Sequence, residues 1–104
     1  MLYVNVEDIH VRIKKLIWLD EIVEKLAKKH GVFQDEVREV LEGEPRFRFV
    51  ERGHRPGENV YAALGQTQSG RYLIIFFIFK KKSDALVLSA REMTRAERKR
   101  YEKS

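Results

Sequence analysis

The stretch that most constrains the fold runs from Gly70 to Tyr101. Eight uncharged, mostly aliphatic and aromatic residues, Tyr72 to Phe79, follow Arg71. This run is under half the length of a membrane span and suits a central strand covered on both faces. Lys80-Lys81-Lys82-Ser83-Asp84 then turn the chain, and Ala85 to Ser89 form a last strand. Thr94 and Glu97 make a capping box that starts a basic helix at Arg95. Arg71 thus opens one strand, and Arg91 lies just past the end of the next. In an antiparallel hairpin those places are neighbours. The two guanidiniums are therefore expected at one edge of the sheet, where they could clamp one phosphate and stabilise charge building on its oxygens. The plainer expectation is that each pairs with a carboxylate, Glu92 or Glu97. The sequence leaves both open.

The rest of the chain supplies helices and more strands. Leu2, Val4 and Val6 alternate, then Ile9, Val11 and Ile13 on the opposite parity, so a break falls near Glu7-Asp8. Leu16 to Leu19 form a further short strand. Asp20 is expected to cap a helix from Glu21 to about Lys29, with Gly31 as its stop. Phe33, Val37, Val40 and Leu41 mark the apolar side of a second helix, Gln34 to Glu42, ended by Gly43 and Pro45. Arg46 to Val50 alternate as a strand, Gly53 to Gly57 are a loop, Asn59 to Thr67 a strand, and Gln68-Ser69-Gly70 a turn. Short loops imply antiparallel hairpins. The expected class is α+β: a compact antiparallel β-sheet with two N-terminal helices and a basic C-terminal helix.

Length and composition bound the function. A chain of 104 residues is one domain. It has no cysteine, which removes disulfides and thiolate metal sites and makes the cytoplasm the default location. The first eight residues lack the basic start and long apolar stretch of a signal peptide. The net charge of +5 is unevenly spread. Residues 21–45 carry four Lys or Arg against seven Asp or Glu, whereas residues 46–104 carry fourteen against six. This separation predicts a basic face for nucleic acid or an acidic partner; a merely solvated surface is the bland reading.

Few residues suggest chemistry. His10, His30 and His54 are too dispersed for a metal motif. His30 stands out because it ends a helix beside Lys29, and histidine is the side chain whose charge changes near neutral pH. Its plain reading is an interaction with the helix dipole. His54 lies in a Gly/Arg/Pro loop and is either solvated or a ligand contact; His10 reads as structural or exposed. There is no nucleophile elbow and no P-loop. Lys29, Arg95, Arg98 and Lys99 are the cations expected to meet nucleic acid if the basic face is a binding surface. Tyr101, the one large apolar residue of the last helix, reads as its docking anchor, or as a ring to stack on a base.

Trp18, Lys29-His30-Gly31-Val32 after a helix, Gly70-Arg71 before an apolar strand, Ser89-Ala90-Arg91, and Glu97 with Tyr101 together resemble the BrnT family of bacterial toxins. The resemblance spans about residues 14 to 103, leaving residues 1–12 as an added N-terminal segment of a single domain 1–104. It implies a RelE-like fold and a metal-independent ribonuclease, needing no cofactor, that halts translation. It implies RNA as one partner and a cognate antitoxin encoded beside it as the other, with no membrane. Carried over by position, the site is His30, Arg71, Arg91 and Tyr101.

The chain also departs from the family pattern. Leu19 stands where an Asp usually follows the Trp. Ile22 and Leu26 occupy places of a Lys and an Asn, Val60 that of an arginine, and Phe33 that of a capping Ser or Thr. The alternative is therefore a non-catalytic protein using the same fold to bind an antitoxin-like partner or nucleic acid.

Overall fold

The computed structural model describes residues 13–80 and 83–103. In chain order they form β1 (Lys15–Ile17), α1 (Asp20–Lys25) continued by a π-helical turn (Leu26–His30), α2 (Gln34–Glu42), β2 (Arg46–Glu51), β3 (Val60–Gln66), β4 (Tyr72–Lys80), β5 (Asp84–Glu92) and α3 (Arg95–Lys103). The expected segment 1–12, with its strands and His10, lies outside the described residues.

The α+β class and the order of elements agree with the sequence. One sheet has the order β1-β5-β4-β3-β2, with the apolar β4 at its centre. Strands β2 to β5 pair antiparallel. Strand β1 departs from expectation: it runs parallel to β5, with Lys15 opposite Asp84 and Ile17 opposite Leu86. The sheet is therefore mixed. Short loops dictate antiparallel pairing only between consecutive strands. Most of the chain intervenes between β1 and β5, so no hairpin governs that pair.

Alternation along the strands divides the core. Leu73, Ile75 and Phe77 of β4 join Ala63, Val87 and Ala90 on one face. Leu26, Val37 and Val40 from the helices, and Val32 from the link between them, close over them. On the other face, Ala62, Leu64 and Ile74 are covered by Phe76, Met93 and Tyr101. Tyr101 is thus an anchor of α3, its ring edge-on to Tyr72 at 6.0 Å. Each large side chain buried in this way stabilises the fold by about 1.5–3 kcal/mol.

Two local expectations change, at the cap of α1 and the end of β5, and the cap of α2 is only half formed. Leu19, at φ −93° and ψ 135°, occupies the cap of α1, so Asp20 is its first helical residue instead. Asp20 and Glu21 still favour the helix through the positive end of its dipole. At α2 the cap is Phe33, which has no side-chain oxygen. Only the Glu36 half of a capping box forms, with the Phe33 N–H donating to Glu36 Oε1 at 3.1 Å. Finally, β5 runs on to Glu92 because β4 pairs with it that far, so Arg91 lies inside the strand.

Candidate functional site

Arg71 follows a tight turn. Gly70 adopts φ 96°, which a side chain would resist. Thr67 fixes the turn from both ends: its N–H donates to the Arg71 carbonyl at 2.9 Å. Its hydroxyl accepts the Arg71 N–H at 3.0 Å. From that base the Arg71 side chain spans three elements. One guanidinium nitrogen donates to the Gly31 carbonyl at 2.9 Å and to both Glu36 oxygens at 2.8 Å. The other donates to Glu92 Oε2 at 3.0 Å. The Glu36 hydrogen bond is the main reason its pKa is raised further. Arg71 therefore ties β4 to α2, to β5 and to the end of the π-helical turn, where Gly31 reverses the chain at φ 59°.

Exposed His30 and Lys29 belong to that same turn. The structure thus brings His30 and Arg71 to one end of the helix-covered face.

Arg91 stands at the same end of the sheet but on the opposite face. Two parallel bonds join it to Glu97, at 2.8 and 2.9 Å. It also donates to the Glu92 carbonyl at 3.0 Å and lies 5.6 Å from the Phe76 ring centre. Arg91 pulls the Glu97 carboxyl down to about 2, aided by the Thr94 N–H. The capping box is complete, with Thr94 N–H on Glu97 at 2.8 Å and Glu97 N–H on Thr94 at 3.1 Å.

The expected clamp of two arginines on one phosphate does not form. The cause is one residue. Phe77 pairs with Val87, but Phe76 pairs with Ser89, so Leu88 is an extra residue in β5. Such a bulge moves every later side chain to the other face. Arg91 therefore faces α3 with Ile74, while Arg71 shares the helix side with Leu73. The carboxylate pairing is what the geometry displays, with Glu92 as the link: its side chain binds Arg71 and its carbonyl binds Arg91.

Of the other cations, Arg98 stacks over Tyr72 at 3.9 Å and reaches Glu102 at 3.5 Å. The Tyr72 hydroxyl donates to the same carboxylate at 3.1 Å. Arg95 and Lys99 are exposed on α3. Tyr101 belongs to the Arg91 face, apart from His30. The sequence reading missed Glu36 as the main partner of Arg71. The signal was a glutamate at the third helical position with no hydroxyl cap to complete. Among the described residues, no group of three or more His, Asp or Glu could hold a metal ion, and no helix is long and apolar enough to cross a membrane.

Two of the apolar departures have structural roles. Leu26 is 1% exposed in the main core, and Ile22 packs against it.

No curated protein matches the chain. The family model described as ribonuclease toxin, BrnT, of type II toxin–antitoxin system matches residues 18–97. The matched span includes His30, Arg71, Arg91 and Glu97, and covers every strand from β2 to β5. The chain therefore belongs to the BrnT family of ribonuclease toxins of type II toxin–antitoxin systems.

Proposed function

We propose that this chain is a cytoplasmic, RelE-like, metal-independent endoribonuclease that halts translation and is silenced by a cognate antitoxin. The observation that carries the reading is the link at Glu92. Two part-exposed guanidiniums are held on either side of one residue, and Arg71 also binds the carbonyl of Gly31, the residue after His30. In the reaction a ribose 2′-oxygen loses its proton and bonds to the adjacent phosphorus. The bond from phosphorus to the 5′-oxygen breaks, and that oxygen takes up a proton. A 2′,3′-cyclic phosphate and a 5′-hydroxyl result.

Glu92, its side chain 67% exposed, is suited to accept the first proton. His30 is suited to supply the second. Arg71 and Arg91, being on opposite faces, serve neighbouring phosphates rather than one, each stabilising charge there. Lys29, Arg95, Arg98 and Lys99 attract the RNA backbone, and Tyr101 supports the Arg91 side.

A second reading is a non-catalytic binder of an antitoxin-like partner or nucleic acid. It is favoured by the carboxylates on both arginines, which give each a structural task. Incubating the purified chain with RNA in excess EDTA separates the two. Fragments with cyclic phosphate ends, and growth arrest on induced expression, support the ribonuclease. Intact RNA and unaffected growth leave only the binder.

A further inference from the structure

The outer strand β2 and the loop after it have no part in the site described. Residues 46–55 carry four arginines against Glu51. Arg46 is engaged within the fold. Arg48, Arg52 and Arg55, unlike Arg71, Arg91 and Arg98, make no ion pair among the described residues. Beside them, Phe49 is 51% and Val50 41% exposed. The Phe49 ring is set edge-on by Tyr61, at 5.8 Å and 76°, so part of it stays open.

The loop is tied down. The Gly53 N–H donates to Asn59 Oδ1 at 3.0 Å, and the Glu58 N–H to the Arg55 carbonyl at 3.2 Å. Glu58 reaches Lys80 of β4 at 3.7 Å. A Cβ on Gly53 would collide with the Glu58 carbonyl, so the approach is close on both sides. Arg52 and Arg55 therefore project from a held loop.

We propose that β2 and residues 52–55 form a docking strip for single-stranded RNA, with Arg48, Arg52 and Arg55 on phosphates and Phe49 against a base. The inference rests on the ribonuclease reading for its ligand, and it adds a surface beyond the cleavage site. A polyanion matches unpaired arginines on an open sheet edge, and an exposed ring accepts any base. A protein strand added here would have to bury those charges or bring a carboxylate for each. Arg48 lies on the Arg91 face, because it pairs with Ala62, which pairs with Phe76, whereas Phe49 pairs with Tyr61 on the helix-covered face; the RNA therefore runs along the open edge of β2, where both are reached. The strip thus leads away from the site along the sheet edge.

The probe is a fluorescent 2′-O-methyl RNA of about a dozen nucleotides, which cannot attack its own phosphates. Its affinity is measured by anisotropy over a salt series. Each phosphate contact on a single strand contributes about 0.7 to the slope of log affinity against log salt. The R48Q/R52Q/R55Q variant should therefore lose about 2 from the slope, and Phe49→Ala should weaken binding about tenfold. Circular dichroism and the melting temperature confirm that both remain folded. If the wild type cleaves RNA while the triple variant keeps its slope, the strip is overturned and the ribonuclease stands. If the triple variant loses affinity for poly-L-glutamate but not for RNA, the surface is one for acidic protein and the proposal fails. If the wild type neither cleaves nor binds RNA, both readings fall.

Discussion

Arg91 and Glu97 face each other through two parallel N–H···O bonds, 2.8 and 2.9 Å long, across the joint between β5 and α3. The pair gives Arg91 two separable roles: it anchors α3, and it presents a fixed cation at the end of the sheet. Arg91→Ala removes a contact to the phosphate beside the scissile one and should weaken cleavage by about tenfold, chiefly by raising KM. Arg91→Lys keeps the charge without the two-pronged geometry and should be intermediate. Glu97→Gln weakens the same anchor while keeping the cation, so it should lower the melting temperature yet retain most activity per folded molecule. Equal activity losses in Arg91→Ala and Glu97→Gln would reduce Arg91 to its structural role.

The same pair sets an acid limit on stability. Glu97 titrates at about 2 in the folded chain, chiefly through its bonds from Arg91. Its folded pKa lies below the unfolded one. The stabilisation is therefore complete above the ordinary carboxylate range and is lost as pH falls towards 2. It amounts to on the order of 2 kcal/mol. Denaturant melts from pH 6 to pH 2 should show a steeper loss in the wild type than in Glu97→Gln. Parallel curves would assign the acid loss to other groups.

Glu92 offers a test of the proposed proton path. If it accepts the 2′-hydroxyl proton, Glu92→Gln should slow cleavage by about 100-fold or more and leave RNA affinity unchanged or raised. A faster variant would show that Glu92 merely competes with phosphate for Arg71.

Much of this architecture is readable in the residues. The apolar run of β4, the apolar side and Gly43 stop of α2, and the Thr94–Glu97 box place those elements correctly. They do so because each signal is local. The relation of Arg71 to Arg91 is not local. It depends on Leu88 being an extra residue in β5, and an apolar strand gives no sign of which residue is unpaired. The parallel β1 escapes for a similar reason, since its partner lies most of a chain away. Glu36 was hidden because its acidic place in the first turn already had a sufficient explanation in the helix dipole.

Leu26 tests whether a departure from the family pattern is structural. It is 1% exposed within the main core. Leu26→Asn would leave a cavity and a buried amide without partners, costing about 2–5 kcal/mol. At about 4–8 °C per kcal/mol for a domain of this size, melting should fall by roughly 10 °C or more. A variant as stable as the wild type would mean the amide finds partners at this site.

The last prediction concerns the antitoxin. Helix α3 exposes Arg95 and Lys99, and its mean composition is strongly basic. Covering those side chains without acidic company would strand charges away from water. An antitoxin is therefore expected to place Asp or Glu residues over α3 and the Arg91 end of the sheet. Charge reversal by Arg95→Glu with Lys99→Glu should then weaken the complex strongly, slow its association and flatten its salt dependence. Isothermal titration with a cognate antitoxin checks this. Unchanged affinity, with protection from hydrogen exchange confined to α1 and α2, would place the partner on the acidic helices instead.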